Sequence, residues 1–473
     1  MRSSSSRNQK TETRLKHDYL SFPEIIAQAI AAVAPSVTPG LLVPILFATA
    51  GNASWVSLGF AGVALFFLTL QLNIFASRIA SPGALYVYVA EGLGPFAGII
   101  AGWSLMIAYF FAAATCTTEL AITGISLLNQ VVGAESTIWL AVVLSALGLG
   151  FAWWFAYRDI KLSTRVSLLV EGTIVTVILV LVVAYFVHRG SVIDHNQLNL
   201  KGVTFDQFRM GLVFAFFSYV GFESAGVLGL EARKPLILIP RAMIVCIVVV
   251  AVFFVVCSYG MLSAFQDIST DLTKETAPLA TLSRAFGIAR VGVFLTAGLC
   301  SSFFAALLAM INGGARVLYT LAHRGLFHTS AGKVHHSNAT PHAAIAFVSA
   351  LALAASLTLT LHGVTLMDSV NYLGTLSTFG FLFAYLLVAV AAPVYLKQRR
   401  ELKLLHIASA LISIVMIGVA LEGSVYPVPE WPSNSLPYIF LVLLVIGIGH
   451  FLYMRRTNPK LLKSLEKELL GNV

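Results

Sequence analysis

Long apolar runs separated by short polar segments dominate the chain of 473 residues. The runs fall near 22–50, 55–76, 96–127, 137–157, 167–187 and 208–230, and then near 242–264, 291–319, 343–361, 370–396, 404–421 and 436–454. A backbone surrounded by hydrocarbon must satisfy its own hydrogen bonds, and runs of about twenty residues are too long for barrel strands. The pattern therefore predicts an all-α integral membrane protein with twelve transmembrane helices.

Composition agrees with that pattern. Hydrophobic residues make up 58% of the chain and charged residues 11%, against roughly 25% charged in a soluble domain, and the mean hydropathy is +0.87. A net charge of +9 raises the question of nucleic acid, but the positive charges lie between apolar runs and form no basic domain. Their placement instead reads as membrane orientation. With both termini cytoplasmic, 24 of the 30 Lys and Arg residues fall on inner segments, the asymmetry expected of a cell-membrane protein with this number of crossings. Cys116, Cys246, Cys257 and Cys300 sit inside apolar runs without ligand spacing, so they read as packing residues. The polar start, 1–20, lacks the apolar core of a cleavable signal and reads as a cytosolic tail.

Two runs carry breaks. In the first, Ala34-Pro35-Ser36-Val37-Thr38-Pro39-Gly40 contains two prolines, each deleting a backbone donor and disfavouring helix at the residue before it. In the sixth, Tyr219-Val220-Gly221-Phe222-Glu223-Ser224-Ala225-Gly226 places two glycines around a carboxyl group. Breaks five crossings apart are what two inverted five-helix repeats give, 21–190 and 191–397, followed by 398–455 and a second cytosolic tail, 456–473. Exposed amides and carbonyls at such breaks face anionic and cationic ligand groups respectively. The bland alternative is a pair of prolines that merely kink a packed helix.

Three stretches carry a family likeness: Ser81-Pro82-Gly83-Ala84-Leu85-Tyr86 continuing to Gly102-Trp103; 214–241 with GFESAG, Glu231, Pro235 and Ile239-Pro240-Arg241; and Ile311-Asn312-Gly313-Gly314-Ala315-Arg316 through Gly325-Leu326. In this order they resemble the third, sixth and eighth helices of the amino acid-polyamine-organocation transporter superfamily. The resemblance implies a leucine-transporter-type fold of five plus five inverted helices with helices 1 and 6 broken, alternating access, and amino acids or amines as substrates. It implies a substrate carboxylate at Ala34, Pro35, Ser36, Val37 and Thr38. It also implies an ammonium near Tyr219, Val220, Gly221 and Phe222, an aromatic lid at Phe217 and a pH-linked acid at Glu223. The first helix lacks the glycine-rich element common in relatives, and Pro39 has no amide to offer.

Glu119, Glu171 and Glu223 are carboxylates within apolar runs, where a charge is costly and marks a functional candidate. Counted from Phe96, Glu119 falls near the outer interface, which favours a capping or solvated role. Glu171 lies near Arg165 and reads either as an ion pair or as a proton carrier. At Glu223, desolvation and a nearby cation both act on the carboxyl group, so substrate binding and proton release would be coupled; the alternative is a carboxylate that braces the loosened helix. Ser301 and Ser302 keep a sodium site open beside the preferred proton coupling, although serines often bond their own helix. The histidine loop with His335, His336 and His342 lacks metal-ligand spacing. No metal or cofactor is expected. Nor is any catalytic group: the sequence has no HExxH or GxSxG motif. The expectation is a secondary transporter in the bilayer for a small amino acid or amine. A polyamine importer of the same fold is the near alternative, and a sensor, channel or intramembrane enzyme the distant ones.

Overall fold

The computed structural model describes residues 19–457 apart from 82, 84, 159, 269 and 336–339, and the side chains of 160–167 and 455 are also outside the described set. Residues 1–18 and 458–473 of the two tails, Pro82 and Ala84 of the first family-like stretch, His336, and the Arg165 side chain therefore lie outside the described residues.

Among the described residues there are sixteen α-helices: α1 (Phe22–Val33), α2 (Val43–Ala50), α3 (Ser54–Ala76), α4 (Leu85–Leu93), α5 (Pro95–Val132), α6 (Ile138–Arg158), α7 (Ile160–Arg189), α8 (His195–Leu198), α9 (Phe205–Phe217), α10 (Pro235–Asp267), α11 (Pro278–Ala285), α12 (Ala289–His323), α13 (His342–Leu361), α14 (Leu366–Gln398), α15 (Leu404–Gly423) and α16 (Leu436–Thr457). No strand occurs among the described residues; one isolated bridge joins Leu20 to Ala232. Among the described residues eleven helical stretches are long and apolar enough to cross a membrane, the first being the 55-residue Phe22–Ala76. At 1.5 Å per residue that stretch is about 80 Å long, against roughly 30 Å of hydrocarbon. Its two ends lie against one segment of chain: Leu20 donates to Glu231 O at 2.8 Å, and Asn73 Nδ2 to Pro240 O at 3.4 Å. The stretch therefore doubles back, turning at Gly51–Ala53.

Lipid is the solvent for the outer helices. On α6, Val143, Leu147 and Phe151 repeat every four residues and are 50%, 54% and 58% exposed, an apolar stripe that water would not tolerate. Arg158 at the end of that helix stacks 4.3 Å over the Trp154 ring, the aromatic and basic pairing of a membrane interface. The protein is a multi-pass membrane protein. Inside, α5 lies against α12 and α14 through small residues: a side chain at Gly313 would meet the Tyr109 ring at 2.6 Å. That close approach fixes where Tyr109 points.

Candidate functional site

Both broken crossings start with firm caps. Ser21 and Glu24 form a capping box on α1, and Thr204 and Gln207 do the same on α9. The two crossings run side by side in opposite directions, since Gly211 of α9 packs on Ala50 at the end of α2 while Glu231 and Ala232 meet Leu20 before α1. Each then unwinds midway.

In the first break Ala34 turns left-handed (φ 46) and closes α1 by donating to Ile30 O at 2.7 Å. Pro35 has no amide, Val37 N–H bonds Ala34 O at 2.9 Å, and Ser36 N–H leaves the helix to bond Glu171 Oε1 of α7 at 2.7 Å. The carbonyls of Ala31, Ala32 and Val33 thereby lose the amides that a continued helix would supply. Ser36 Oγ lies 3.2 Å from Glu171 Oε2 and 2.9 Å from Ser302 Oγ of α12, so one carboxylate gathers three helices. A π-type turn, Thr38–Leu42, then leads into α2. Thr38 Oγ1 is buried without a partner.

In the sixth break α9 ends at Phe217, and Gly221 adopts φ 98 before a 3-10 turn, Phe222–Leu228. A Cβ at Gly221 would meet Ala32 Cβ and Met310 Cε, both at 2.8 Å, so the unwound chain rests on the last turn of α1. Glu223 is fully buried and accepts from Tyr385 Oη at 2.5 Å and Tyr109 Oη at 3.0 Å. Its two oxygens are occupied by α14 and α5.

A small cavity of about 30 Å³ lies between the breaks. Ala34 and Val37 of the first break and Phe217 and Val220 of the sixth line it, facing Cys116 and Glu119 of α5 and Phe303 and Met310 of α12. Of the substrate-contact residues expected from the sequence, these first four line the cavity, and so do Cys116 and Glu119. Pro35, Ser36 and Thr38 shape the break behind it; Tyr219 points away, its hydroxyl donating to Leu58 O at 2.8 Å. Phe222 packs against Tyr385, and Glu223 lies outside the cavity wall. Ser301 and Ser302 do not converge: Ser301 is exposed and bonds Ala297 O on its own helix, whereas Ser302 faces inward. His335 Nε2 and Tyr157 Oη sit 2.7 Å apart.

Glu119 is not solvated. It is 2% exposed, and Oε1 has no hydrogen-bond partner among the described residues. Depth counted from Phe96 placed it too far out because α5 has 38 residues, about 57 Å at 1.5 Å each, and overshoots the hydrocarbon. The usable signal was spacing: Ala112, Cys116 and Glu119 share one helical face.

The two ends of the bundle differ. At the end carrying residue 19, Tyr19 and Leu20 amides both bond Glu231 O at 2.8 Å, and Arg316 makes a buried two-pronged pair with Glu231 at 2.9 and 3.1 Å. At the opposite end an open cavity of about 670 Å³ is lined by Ile122, Ser126 and Gln130 of α5 with Glu275 and Arg284.

The profile of the family described as "Amino acid permease" matches residues 25–463. The chain belongs to the amino acid permease family. Among its curated relatives, the branched-chain amino acid permease BcaP of Bacillus subtilis (strain 168) is 25% identical over 427 residues, covering 86% of this chain and 87% of that protein. The low-affinity putrescine importer PlaP of Escherichia coli (strain K12) is 25% identical over 305 residues, covering 63% and 65%. Among solved structures, MhsT in complex with L-phenylalanine superposes with a TM-score of 0.60 at 14% identity, covering 92% of this permease-family chain and 99% of that one. That likeness carries the leucine-transporter-type fold, in which the two broken crossings take their expected places.

Proposed function

We propose that this permease-family protein is a secondary active transporter for amino acids or related small amines, working by alternating access and coupled to protons. Its Phe22–Ala76 stretch counts as two passages, giving twelve, with both termini cytoplasmic and the 670 Å³ cavity facing outward. The cavity between the breaks is the substrate site, contacted by Ala34, Val37, Phe217 and Val220. At about 30 Å³ it holds no more than a water's share of liquid; substrate enters only when the helices part.

The observation that carries the coupling is the bond from the Ser36 amide to Glu171. A charged carboxylate accepting an orphan amide makes a bond roughly twice as strong as a neutral one. Protonation of Glu171 therefore loosens the grip of α7 on the first break and lets that break move. Glu223, with both oxygens taken by tyrosines, braces the second break.

Reconstituted protein tests this reading. Labelled amino acid or putrescine should show saturable counterflow, and an inward proton gradient should drive accumulation that a protonophore collapses. Glu171→Gln should retain counterflow and lose gradient-driven accumulation. Absence of counterflow with every amino acid and amine would point to a sensor; sodium-driven accumulation in protonophore would overturn the coupling.

A further inference from the structure

Glu119 stands apart from the other intramembrane carboxylates in having an oxygen, Oε1, with no hydrogen-bond partner among the described residues. Glu171 spends its oxygens on Ser36, and Glu223 on two tyrosines. Glu119 is 2% exposed, and its Oε1 is unpartnered although it lines the cavity between the breaks. The Cys116 thiol, three residues earlier on the same wall, is the one donor beside the carboxyl group. A buried carboxylate is retained at a cost of several kcal/mol unless a cation or a set of donors compensates it. Among the described residues no Lys, Arg or His lines this cavity.

Position adds a second argument. Residues 112, 116 and 119 line the inner cavity, and 122, 126 and 130 line the open one, so a single face of α5 connects the two. Glu119 is the innermost charged group on that face and lies one turn below the floor of the open cavity. A cation entering from that side meets it first within the inner cavity.

We propose that Glu119 is the specificity-determining residue of this permease-family protein and that it selects substrates with net positive charge, carrying an amine or guanidinium not balanced by a carboxylate. A zwitterion such as leucine places its ammonium and carboxylate at the breaks and leaves Glu119 unpaired. A basic amino acid or a diamine supplies the missing cation. This inference rests on the transporter reading and deepens it by naming the substrate class.

The test uses the full-length purified protein and thermal stabilisation by L-lysine, L-arginine, putrescine, L-leucine and L-phenylalanine, for wild type, Glu119→Gln and Glu119→Asp. In wild type the cationic ligands should stabilise at concentrations at least tenfold lower than leucine. Glu119→Gln should lower the cation-to-leucine preference by tenfold or more, and Glu119→Asp should keep it. Stabilisation by putrescine and lysine alike marks a site that reads the amine alone; stabilisation by lysine without putrescine marks one that also holds the carboxylate. Both outcomes uphold the assignment. Equal or better stabilisation by leucine in wild type, unchanged in Glu119→Gln, overturns it and leaves the transporter reading intact. No stabilisation by any of the five ligands in any variant defeats the transporter reading and the assignment together. Each variant's own melting temperature without ligand separates loss of folding from loss of preference, and the lysine-to-leucine ratio is a quantity that a purely structural role would not move.

Discussion

The two unwound segments solve one problem in opposite ways. In the first, the chain supplies an orphan amide at Ser36, and a carboxylate arrives from α7, 135 residues away. In the sixth, the chain supplies the carboxylate, Glu223, and two tyrosine hydroxyls arrive from α5 and α14. An amide held by one ionisable acceptor is a contact that a proton can weaken. A carboxylate closed in by two donors is a brace. On the proposed reading the first break moves and the sixth holds, and substitutions at each should separate the roles.

The largest effect is expected at the point where the first break depends on a single partner. Glu171→Ala strips the buried Ser36 amide of its acceptor, which should cost about 2–3 kcal/mol in thermal unfolding and abolish proton-driven accumulation. Next, Gly221→Ala forces an L side chain into a left-handed backbone at φ 98, costing about 1–2 kcal/mol before its contacts with Ala32 and Met310 are counted. Its melting temperature should fall by several degrees. Tyr385→Phe, which leaves Glu223 with the Tyr109 hydroxyl, should cost about 1–2 kcal/mol without moving the pH dependence of uptake. A shifted pH profile in that variant would assign coupling to the sixth break and erase the contrast.

Much of this contrast was legible in the sequence, and some was not. Pro35 with Pro39, and Gly221 with Gly226, announce both breaks because each residue disturbs the helix locally. The partners were hidden: Tyr109 and Tyr385 reach Glu223 across 114 and 162 residues, separations that no local pattern encodes. The inward turn of Ser302 and the outward turn of Ser301 follow from adjacent positions on one helix facing different ways. The Arg316–Glu231 pair joins two of the family-like stretches, which showed that both residues belonged to motifs but not that they meet.

Two smaller effects refine the comparison. Asp194, on the polar segment before α8, follows the sixth break's rule outside the membrane. Burial opposes its ionisation, but Gln197, Ser263 and the amides of Gln197 and Asn196 outweigh that and hold the carboxyl below its usual value of 3.8. A depressed value contributes stability above pH 3.8 that is lost as pH falls through the lower folded value. Asp194→Asn should therefore melt about 2–4 °C lower at neutral pH, with the gap to wild type closing below pH 3.8. The smallest effect has the opposite sign: Ala34→Gly relieves the left-handed alanine at φ 46 and should change stability by no more than about 1 kcal/mol.

On the proposed mechanism, protonation releases one break and not the other. Hydrogen exchange measured by mass spectrometry over a pH series, after correction for the intrinsic rate, reads both segments in one experiment. In wild type, amides of the 36–42 segment should lose protection as pH falls, those of Phe222–Leu228 should not, and Glu171→Gln should make the first segment insensitive to pH. Equal responses of the two segments, or a pH response of the first that survives Glu171→Gln, would contradict the account.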